Sequence, residues 1–175
     1  MKNLFILLGL VLLTGCMSFS DRPLRPLRNA IAQQMPKVSL EKEFAVSFGR
    51  GFFDLLDIVT LNEADLSKID HVQLAVYKVY PDGIKIDFDT LDFEAVMLAK
   101  DSSLHWETII RVREEDEQIW VLVGMNLDGN SLEAVTLFTL HNDELVLINI
   151  DGDLDQMIEF AMQPAHGHRG VVKSG

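Results

Sequence analysis

Four strand-like segments follow one another in the second half of the chain, and short turn signals separate them. They cover residues 106–112, 119–125, 132–140 and 145–150. In the first of them, apolar residues alternate with polar neighbours from Trp106 to Val112, which indicates a strand with one buried face. Asp128-Gly129 is a strong signal for a hairpin turn. We therefore expect an antiparallel meander, and any fold of this chain has to contain it.

The first half of the chain combines two further strands with a helix. Residues 38–48 and 71–80 show the same alternation, and Gly49-Arg50-Gly51 ends the first of these strands. A phosphate-binding loop would need a Lys-Ser/Thr pair after such glycines, so we interpret them as a strand-to-helix turn. The helical stripe that follows consists of Phe52, Leu55, Leu56 and Val59.

Two more helices complete the expected order. Thr90 can cap a helix whose shared apolar face comprises Leu91, Ala95, Leu98 and Ala99. Asp153 with Gln156 resembles a capping box for a last helix, whose buried stripe would be Leu154, Met157, Ile158 and Ala161. The order β-α-β-α-β-β-β-β-α predicts an α+β fold, in which a largely antiparallel sheet carries helices on one face.

The first 16 residues have the pattern of an export signal. Lys2 makes the start positive, and the apolar run of residues 4–13 is shorter than the roughly 20 residues of a membrane-spanning helix. Its length fits the apolar region of a secretory signal peptide. Leu13-Thr14-Gly15-Cys16 resembles a bacterial lipobox, which implies cleavage before Cys16 and acylation of its thiol. The alternatives are an ordinary signal peptide with a chance cysteine and an uncleaved anchor.

The resemblance to a lipobox sets the expected location and organisation. Met17 stands where an aspartate would be typical of inner-membrane retention, so we expect the outer membrane, facing the periplasm. We predict a signal peptide over residues 1–15, a lipidated Pro/Arg tether over 16–36, one α+β domain over 37–162 and a flexible tail over 163–175. The tether prediction depends on prolines within the repeat Arg22-Pro23-Leu24-Arg25-Pro26-Leu27-Arg28 and at Pro36. This segment would be a solvated spacer or would attract anionic lipid headgroups.

The charge of the chain excludes some partners. Removal of residues 1–15 deletes Lys2 and leaves 14 basic and 27 acidic side chains, a net charge of −13. Such a charge disfavours binding to nucleic acid and predicts a folded part that stands off the membrane. Because Cys16 is the only cysteine and is expected to carry lipid, the domain has to depend on its apolar core rather than on disulfides.

Two motifs suggest metal binding, and each has a simpler alternative. Asp151-Gly152-Asp153-Leu154-Asp155 resembles the start of a calcium loop, but Gln156 and Met162 stand where an EF-hand needs glycine and a bidentate glutamate. Helix capping explains the same aspartates. His166 and His168 could share a transition metal, although a stable site needs further ligands.

Catalysis has little support in the sequence pattern. No Gly-x-Ser-x-Gly elbow occurs, and His71, His105 and His141 stand beside strand ends without the spacing to serve Ser131. An acid–base pair needs one carboxyl in an apolar pocket, which sequence cannot show for the clustered acids Asp87, Asp89, Asp92 and Glu94. We therefore assign no catalytic, cofactor-binding or metal-binding residue, and Cys16 is the one predicted site, for lipidation.

The large aromatic side chains are expected in the core, because they lie on apolar stripes: Phe52, Phe53, Trp106, Trp120 and Phe138. The alternative concerns the outer face of the sheet. If that face is uncovered, Trp120 or Ile109 would be exposed as an interaction patch.

Two stretches of the meander carry a family resemblance. Trp106-Glu107-Thr108-Ile109-Ile110-Arg111-Val112-Arg113 and Leu145-Val146-Leu147-Ile148-Asn149-Ile150-Asp151-Gly152-Asp153-Leu154-Asp155 are similar to the bacterial family called domain of unknown function 4252. The leader and the earlier helices are similar in order and spacing, so the resemblance covers roughly residues 38–162. It implies a small bacterial lipoprotein or secreted protein of no established activity and, for some members, a link to envelope stress signalling.

Three classes of function are compatible with these features. The first is a membrane-anchored, non-catalytic interaction domain whose partner is another envelope protein. The second is an envelope hydrolase that uses carboxylates or a weakly held metal, and the third is a carrier of a small apolar ligand. A deep pocket with convergent polar groups would favour the hydrolase, whereas a smooth surface around Asp87, His105 and His141 would exclude its obvious version.

Overall fold

A computed structural model describes residues 17–59, 66–82, 90–114 and 117–155. Within these ranges it confirms the predicted α+β fold with an antiparallel sheet. Some predictions fall outside the described residues: the signal peptide, Cys16, Asp87, Asp89, Gln156, the rest of the last helix, the tail and its two histidines.

Seven strands and three α-helices make up the described fold. The strands are β1 (Met17–Ser18), β2 (Val38–Gly49), β3 (Ile69–Pro81), β4 (His105–Arg113), β5 (Glu117–Asn126), β6 (Ser131–His141) and β7 (Glu144–Gly152). The helices are α1 (Arg25–Gln34), α2 (Arg50–Val59) and α3 (Phe93–Leu98), and short 3-10 turns occupy Arg22–Leu24 and Leu66–Lys68. All six predicted strands are present, and β1 is an addition.

The strands form one sheet in the order β1-β2-β3-β7-β6-β5-β4. After β3 the chain crosses to the far edge, begins β4 there, and returns strand by strand until β7 pairs with β3. Asn130 ends one hairpin turn and Asn142 begins another, with φ of 49° and 54°, a left-handed conformation that asparagine tolerates. The meander is therefore confirmed, and β1 and β4 lie at the two edges of the sheet.

One face of the sheet carries the main core. Its central row comprises Ala45, Ala75, Leu147, Phe138 and Trp120, which are direct neighbours on five adjacent strands and at most 4% exposed. Helices α1 and α3 cover this face, and the ring of Phe93 lies 4.6 Å from that of Trp120. Phe53 and Trp106 are also buried, as predicted.

The opposite face, which we call the second face, is apolar but less buried. Its central row comprises Val46, Leu74, Ile148, Leu137 and Val121, all half-buried. Helix α2 begins directly after β2, and the ring of Phe52 lies 4.7 Å from that of Phe48 on this side. Phe52 is half-buried rather than buried.

The predicted tether is wrong, because its residues belong to the folded domain. Strand β1 pairs with the end of β2 through Met17–Phe48 and Ser18–Ser47. Leu24, Leu27 and Ile31 are at most 1% exposed and lie in the main core. The prolines do not prevent this, because Pro23 and Pro26 occupy the first positions of helical segments, where the missing N–H costs no hydrogen bond.

The arginines of the repeat neutralise a buried carboxylate. Asp21 is 4% exposed, and its two oxygens lie 3.3 Å from Arg25 Nε and 3.1 Å from Arg28 Nη1. A charge removed from water needs such partners. Two of the three arginines therefore have a structural role, which neither the spacer nor the lipid-attraction hypothesis anticipates.

Helix α3 begins after Asp92 rather than at Thr90. Asp92 Oδ1 accepts a hydrogen bond of 2.9 Å from the backbone N–H of Ala95. The side-chain amide of Gln34 bonds to both backbone groups of Asp92, at 3.1 and 2.9 Å. The cap of α3 is thus tied to the end of α1, and the two covering helices are held together.

Candidate functional site

An open cleft of about 610 Å³ lies at the end of the sheet where β3 begins and β7 ends. Its lining includes six carboxylates and one lysine: Asp70, Asp101, Glu133, Asp151, Asp153, Asp155 and Lys100. We call this feature the acidic cleft. The antiparallel register brings these residues together from segments that are far apart in the chain.

Lys100 and Asp151 form the shortest ion pair described in the acidic cleft. Lys100 Nζ lies 2.6 Å from Asp151 Oδ1, and the lysine side chain is 12% exposed. Asp151 Oδ2 accepts a hydrogen bond of 2.7 Å from Asn149 Nδ2. Asn149 Oδ1 in turn accepts one of 2.6 Å from the Thr136 hydroxyl, and both of these residues are fully buried. Asp151 thus accepts hydrogen bonds from Lys100 and Asn149, and this series of contacts connects the cleft to the core.

Neither Lys100 nor Asn149 is among the site residues predicted from sequence. Asn149 has a detectable signal, because it is a polar residue inside the apolar segment 145–150 and a buried amide requires hydrogen-bond partners. Lys100 has none. It follows a short helix in a polar stretch, and its role depends on Asp151, which lies 51 residues away.

The aspartates that suggested calcium binding have partners within the protein. Asp155 Oδ1 accepts a hydrogen bond of 2.9 Å from the backbone N–H of Leu132, and Asp153 Oδ2 lies 3.8 Å from Lys68 Nζ. Together with the Asp151–Lys100 pair, these contacts favour a structural role of the aspartates over calcium binding. They differ from the predicted helix capping, and residues 156 onwards of that helix lie outside the described residues. Among the described residues, no group of three or more His, Asp or Glu side chains is arranged to hold a metal ion.

Asp101 is held in its ionised form by Ser103. The Ser103 hydroxyl and backbone N–H both donate to Asp101 Oδ1, at 2.6 and 2.8 Å. These two hydrogen bonds hold the pKa of Asp101 below its ordinary value of 3.8, and the bond from the hydroxyl has the larger effect. Ionised Asp101 therefore stabilises the fold above pH 3.8, and this contribution is lost as the pH falls through the lower folded value.

We expect Ser103→Ala to raise the pKa of Asp101 towards 3.8, because the larger of the two causes is removed. An NMR titration of the Asp101 carboxyl carbon measures this change. Ser102→Ala is the matched control, since Ser102 is exposed and neighbouring, and it should leave the titration unchanged. An unaltered Asp101 pKa in Ser103→Ala would contradict the assignment of the cause.

The three described histidines are exposed, as predicted, and the sheet separates two of them widely. His105 pairs with Met125 near one end of β5, and His141 pairs with Glu117 at the other. At about 3.4 Å per residue, roughly 30 Å lies between them. Ser131 donates its hydroxyl to Glu133 at 3.1 Å. The described residues therefore do not unite His105 and His141 in one site.

Strand β4 exposes apolar side chains at the edge of the sheet. Ile109, Ile110 and Val112 are 54%, 46% and 39% exposed, and we call them the β4 patch. The alternative in which Ile109 is exposed therefore applies, and this residue lies at a bulge in the pairing with β5. Trp120 lies in the core, as expected, because its side chain is 2% exposed beneath α3.

A side chain from α3 hydrogen-bonds to the first half of β4. Glu94 Oε1 accepts hydrogen bonds from the Thr108 hydroxyl at 3.0 Å and from its backbone N–H at 3.3 Å. The β4 patch begins directly after this contact. The edge thus has one part covered by Glu94 and one part with exposed apolar side chains.

Comparisons with protein-family models, with curated proteins and with solved structures find no match to this chain. The resemblance to domain of unknown function 4252 stays a prediction. Within the described ranges, no helix is both long enough and apolar enough to cross a bilayer.

Proposed function

We propose that the protein is a lipid-anchored component of the bacterial envelope whose α+β domain binds another envelope protein without catalysing a reaction. The anchor is supported by the leader that ends in Leu13-Thr14-Gly15-Cys16. Met17 after the cysteine favours the outer membrane, with the domain facing the periplasm. A role in envelope stress signalling is part of the proposal through the family resemblance alone.

The β4 patch is the observation that carries the interaction role. An edge strand can accept an additional strand from a partner, and the three exposed apolar side chains of β4 would lose their contact with water in such a complex. A long apolar edge strand is otherwise a liability for aggregation. A partner strand on the second half of β4 would remove that liability.

The acidic cleft is the observation that favours an envelope hydrolase, the second candidate. A hydrolase of this kind needs one carboxyl whose apolar surroundings favour its protonated form. In the acidic cleft, Asp151 instead faces Lys100 and Asn149, and Asp155 accepts a backbone N–H. These contacts support a structural use of both carboxylates, so the interaction role ranks first.

Fatty-acid labelling of cells that express the full chain tests the anchor. We expect label on the wild-type protein and its recovery in the membrane fraction. Cys16→Ser should lose the label and the membrane association, whereas Ser18→Ala should retain both. An unlabelled wild-type protein, or its recovery with the cytosol, would contradict the proposed anchor.

Crosslinking in intact cells followed by mass spectrometry tests the partner. We expect one envelope protein to be recovered with the wild-type chain and to be lost with Ile110→Lys, which places a charge in the β4 patch. Leu127→Lys is the matched control, because Leu127 is 67% exposed in a turn outside the patch. Absence of a reproducible partner, or its equal loss in both variants, would contradict the proposal.

A further inference from the structure

We infer that the lipidated protein lies on the bilayer along the edge formed by β1 and β2, with Phe19 and Phe44 at headgroup level. This inference rests on the proposed acylation of Cys16. It adds an orientation and a contact surface, and it replaces the expectation that the domain stands off the membrane. The sequence leaves no spacer between Cys16 and the sheet, because the next residue, Met17, already pairs with Phe48.

The attachment residue directly precedes a paired strand. Met17 is opposite Phe48 in the sheet, and consecutive Cα atoms are about 3.8 Å apart. Acyl chains on Cys16 therefore enter the bilayer within a few ångströms of the folded domain. A flexible tether over residues 16–36 would have permitted many orientations, whereas the observed pairing permits few.

Two orientations would place Met17 at the membrane surface. In the first orientation, the end of the sheet that carries the acidic cleft touches the membrane. His71 pairs with Gly49 on one side and with Asp151 on the other, so the start of β1 and the cleft share this end of the sheet. Six carboxylates would then face the headgroups together with the three cations that pair with them, Arg50, Lys68 and Lys100. Anionic lipids repel the remaining negative charge of this end.

In the second orientation, the sheet lies on its β1–β2 edge. Phe19 follows β1 directly and is 67% exposed, and Phe44 on β2 is 46% exposed. Phe44 lies four residues from Phe48, so both side chains point to the second face. Both residues belong to β2, the strand that pairs with β1. Exposed apolar rings beside an acyl anchor add buried area at the bilayer interface.

Charge also favours the edge over the end. The exposed charged side chains of β2 and of the turn before it include both signs, with Lys37 and Lys42 against Glu41 and Glu43. This mixture is close to neutral, whereas the cleft end has an excess of carboxylates.

The edge-on orientation has a consequence for the partner. The β4 patch lies on the opposite edge of the seven-stranded sheet, about 29 Å away at roughly 4.8 Å per strand. It therefore points away from the membrane. One edge of the sheet would bind lipid while the other remains accessible to a second envelope protein.

Tryptophan fluorescence on vesicles tests the orientation. The mature chain, residues 16–175, is coupled through Cys16, its only thiol, to a maleimide phospholipid in phosphatidylethanolamine–phosphatidylglycerol vesicles with brominated acyl chains. The two native tryptophans are buried and define the background. We expect Phe19→Trp and Phe44→Trp to give blue-shifted emission that the bromolipid quenches. Far-UV circular dichroism checks that each variant is folded. If only one of these two variants folds, that one is sufficient for the test.

Two further variants report the competing orientations. Leu127→Trp lies in the turn at the cleft end, and Ile110→Trp lies on the far edge; both should show background quenching only. Quenching of Leu127→Trp in place of the other two would overturn the inference in favour of the end-on orientation. Background quenching in every variant would overturn it in favour of a domain that stands off.

A spacer variant supplies the complementary measurement. A flexible Gly/Ser insertion of about 20 residues between Cys16 and Met17 should reduce the quenching of Phe19→Trp while the protein stays on the vesicles. Chemical coupling replaces acylation by the cell, so this experiment can succeed or fail independently of the labelling of cells. Failure of the anchor and failure of the orientation are therefore distinguishable.

Discussion

A chain that begins at residue 37 is expected not to fold, whereas a chain that begins at residue 16 should unfold cooperatively. The shorter chain loses Leu24, Leu27 and Ile31, which are at most 1% exposed in the main core. Each buried aliphatic side chain contributes about 2–5 kcal/mol, and the whole free energy of unfolding of a domain is about 5–15 kcal/mol. The three losses together are comparable to that total.

Circular dichroism during thermal and urea unfolding measures this difference. The single substitution Leu27→Ala should lower the free energy of unfolding by about 2–5 kcal/mol. Gln33→Ala on the same helix is the control, because Gln33 is exposed, and its effect should be small. A cooperative transition of the 37–175 chain near the midpoint of the 16–175 chain would restore the tether hypothesis.

Gly152→Ala is expected to be the most damaging single methyl addition among the described glycines. Gly152 has a φ of 153°, a backbone conformation that favours glycine. A Cβ there would overlap the backbone carbonyl oxygen of Lys68 and lie 3.0 Å from the backbone N of Asp70. Strained backbone conformations cost about 1–3 kcal/mol each, and the overlap with the 3-10 turn Leu66–Lys68 adds to that cost.

Urea unfolding of Gly152→Ala should therefore show a loss of about 3 kcal/mol or more. Gly129→Ala is the matched control, since the nearest atoms to its Cβ would belong to flexible side chains, the hydroxyl of Ser131 at 3.3 Å and the amide of Asn126 at 3.6 Å. Equal midpoints for Gly152→Ala and the wild-type protein would show that the β7 end relaxes without cost. The backbone N–H of Asp153, which bonds to the Lys68 carbonyl at 3.0 Å, would be expected to lose protection from hydrogen exchange in this variant.

The strands are the part of the fold that sequence predicts well. Their apolar residues recur at every second position, and this period follows from the geometry of a single extended chain. The hairpin turns are equally local, because Asp128-Gly129 and Asn142-Asp143 have the conformational preferences that such turns require. The helix expected after residue 90 is present as α3, but its capping residue is Asp92. Its predicted face is wrong, because Ala95, Leu98 and Ala99 are exposed. The buried residues of α3 are Phe93, Val96 and Met97.

The N-terminal segment shows why local signals were insufficient there. Its prolines and arginines are typical of a solvated linker, and this composition obscured the helical spacing of Leu24, Leu27 and Ile31. The arginines have a different role, which depends on Asp21 being buried beneath them. A buried carboxylate cannot be identified from composition, because burial is decided by the elements that cover it.

The sequence by itself determined the strands, the turns and the predicted acylation motif, because each depends on residues that are neighbours in the chain. The tertiary structure alone decided that β1 is part of the sheet, that Lys100 meets Asp151, and that the β1–β2 edge and the β4 patch lie on opposite sides. These features arise from pairing between distant segments, such as β3 with β7. Such pairing depends on the packing of the whole chain, which local periodicity does not encode.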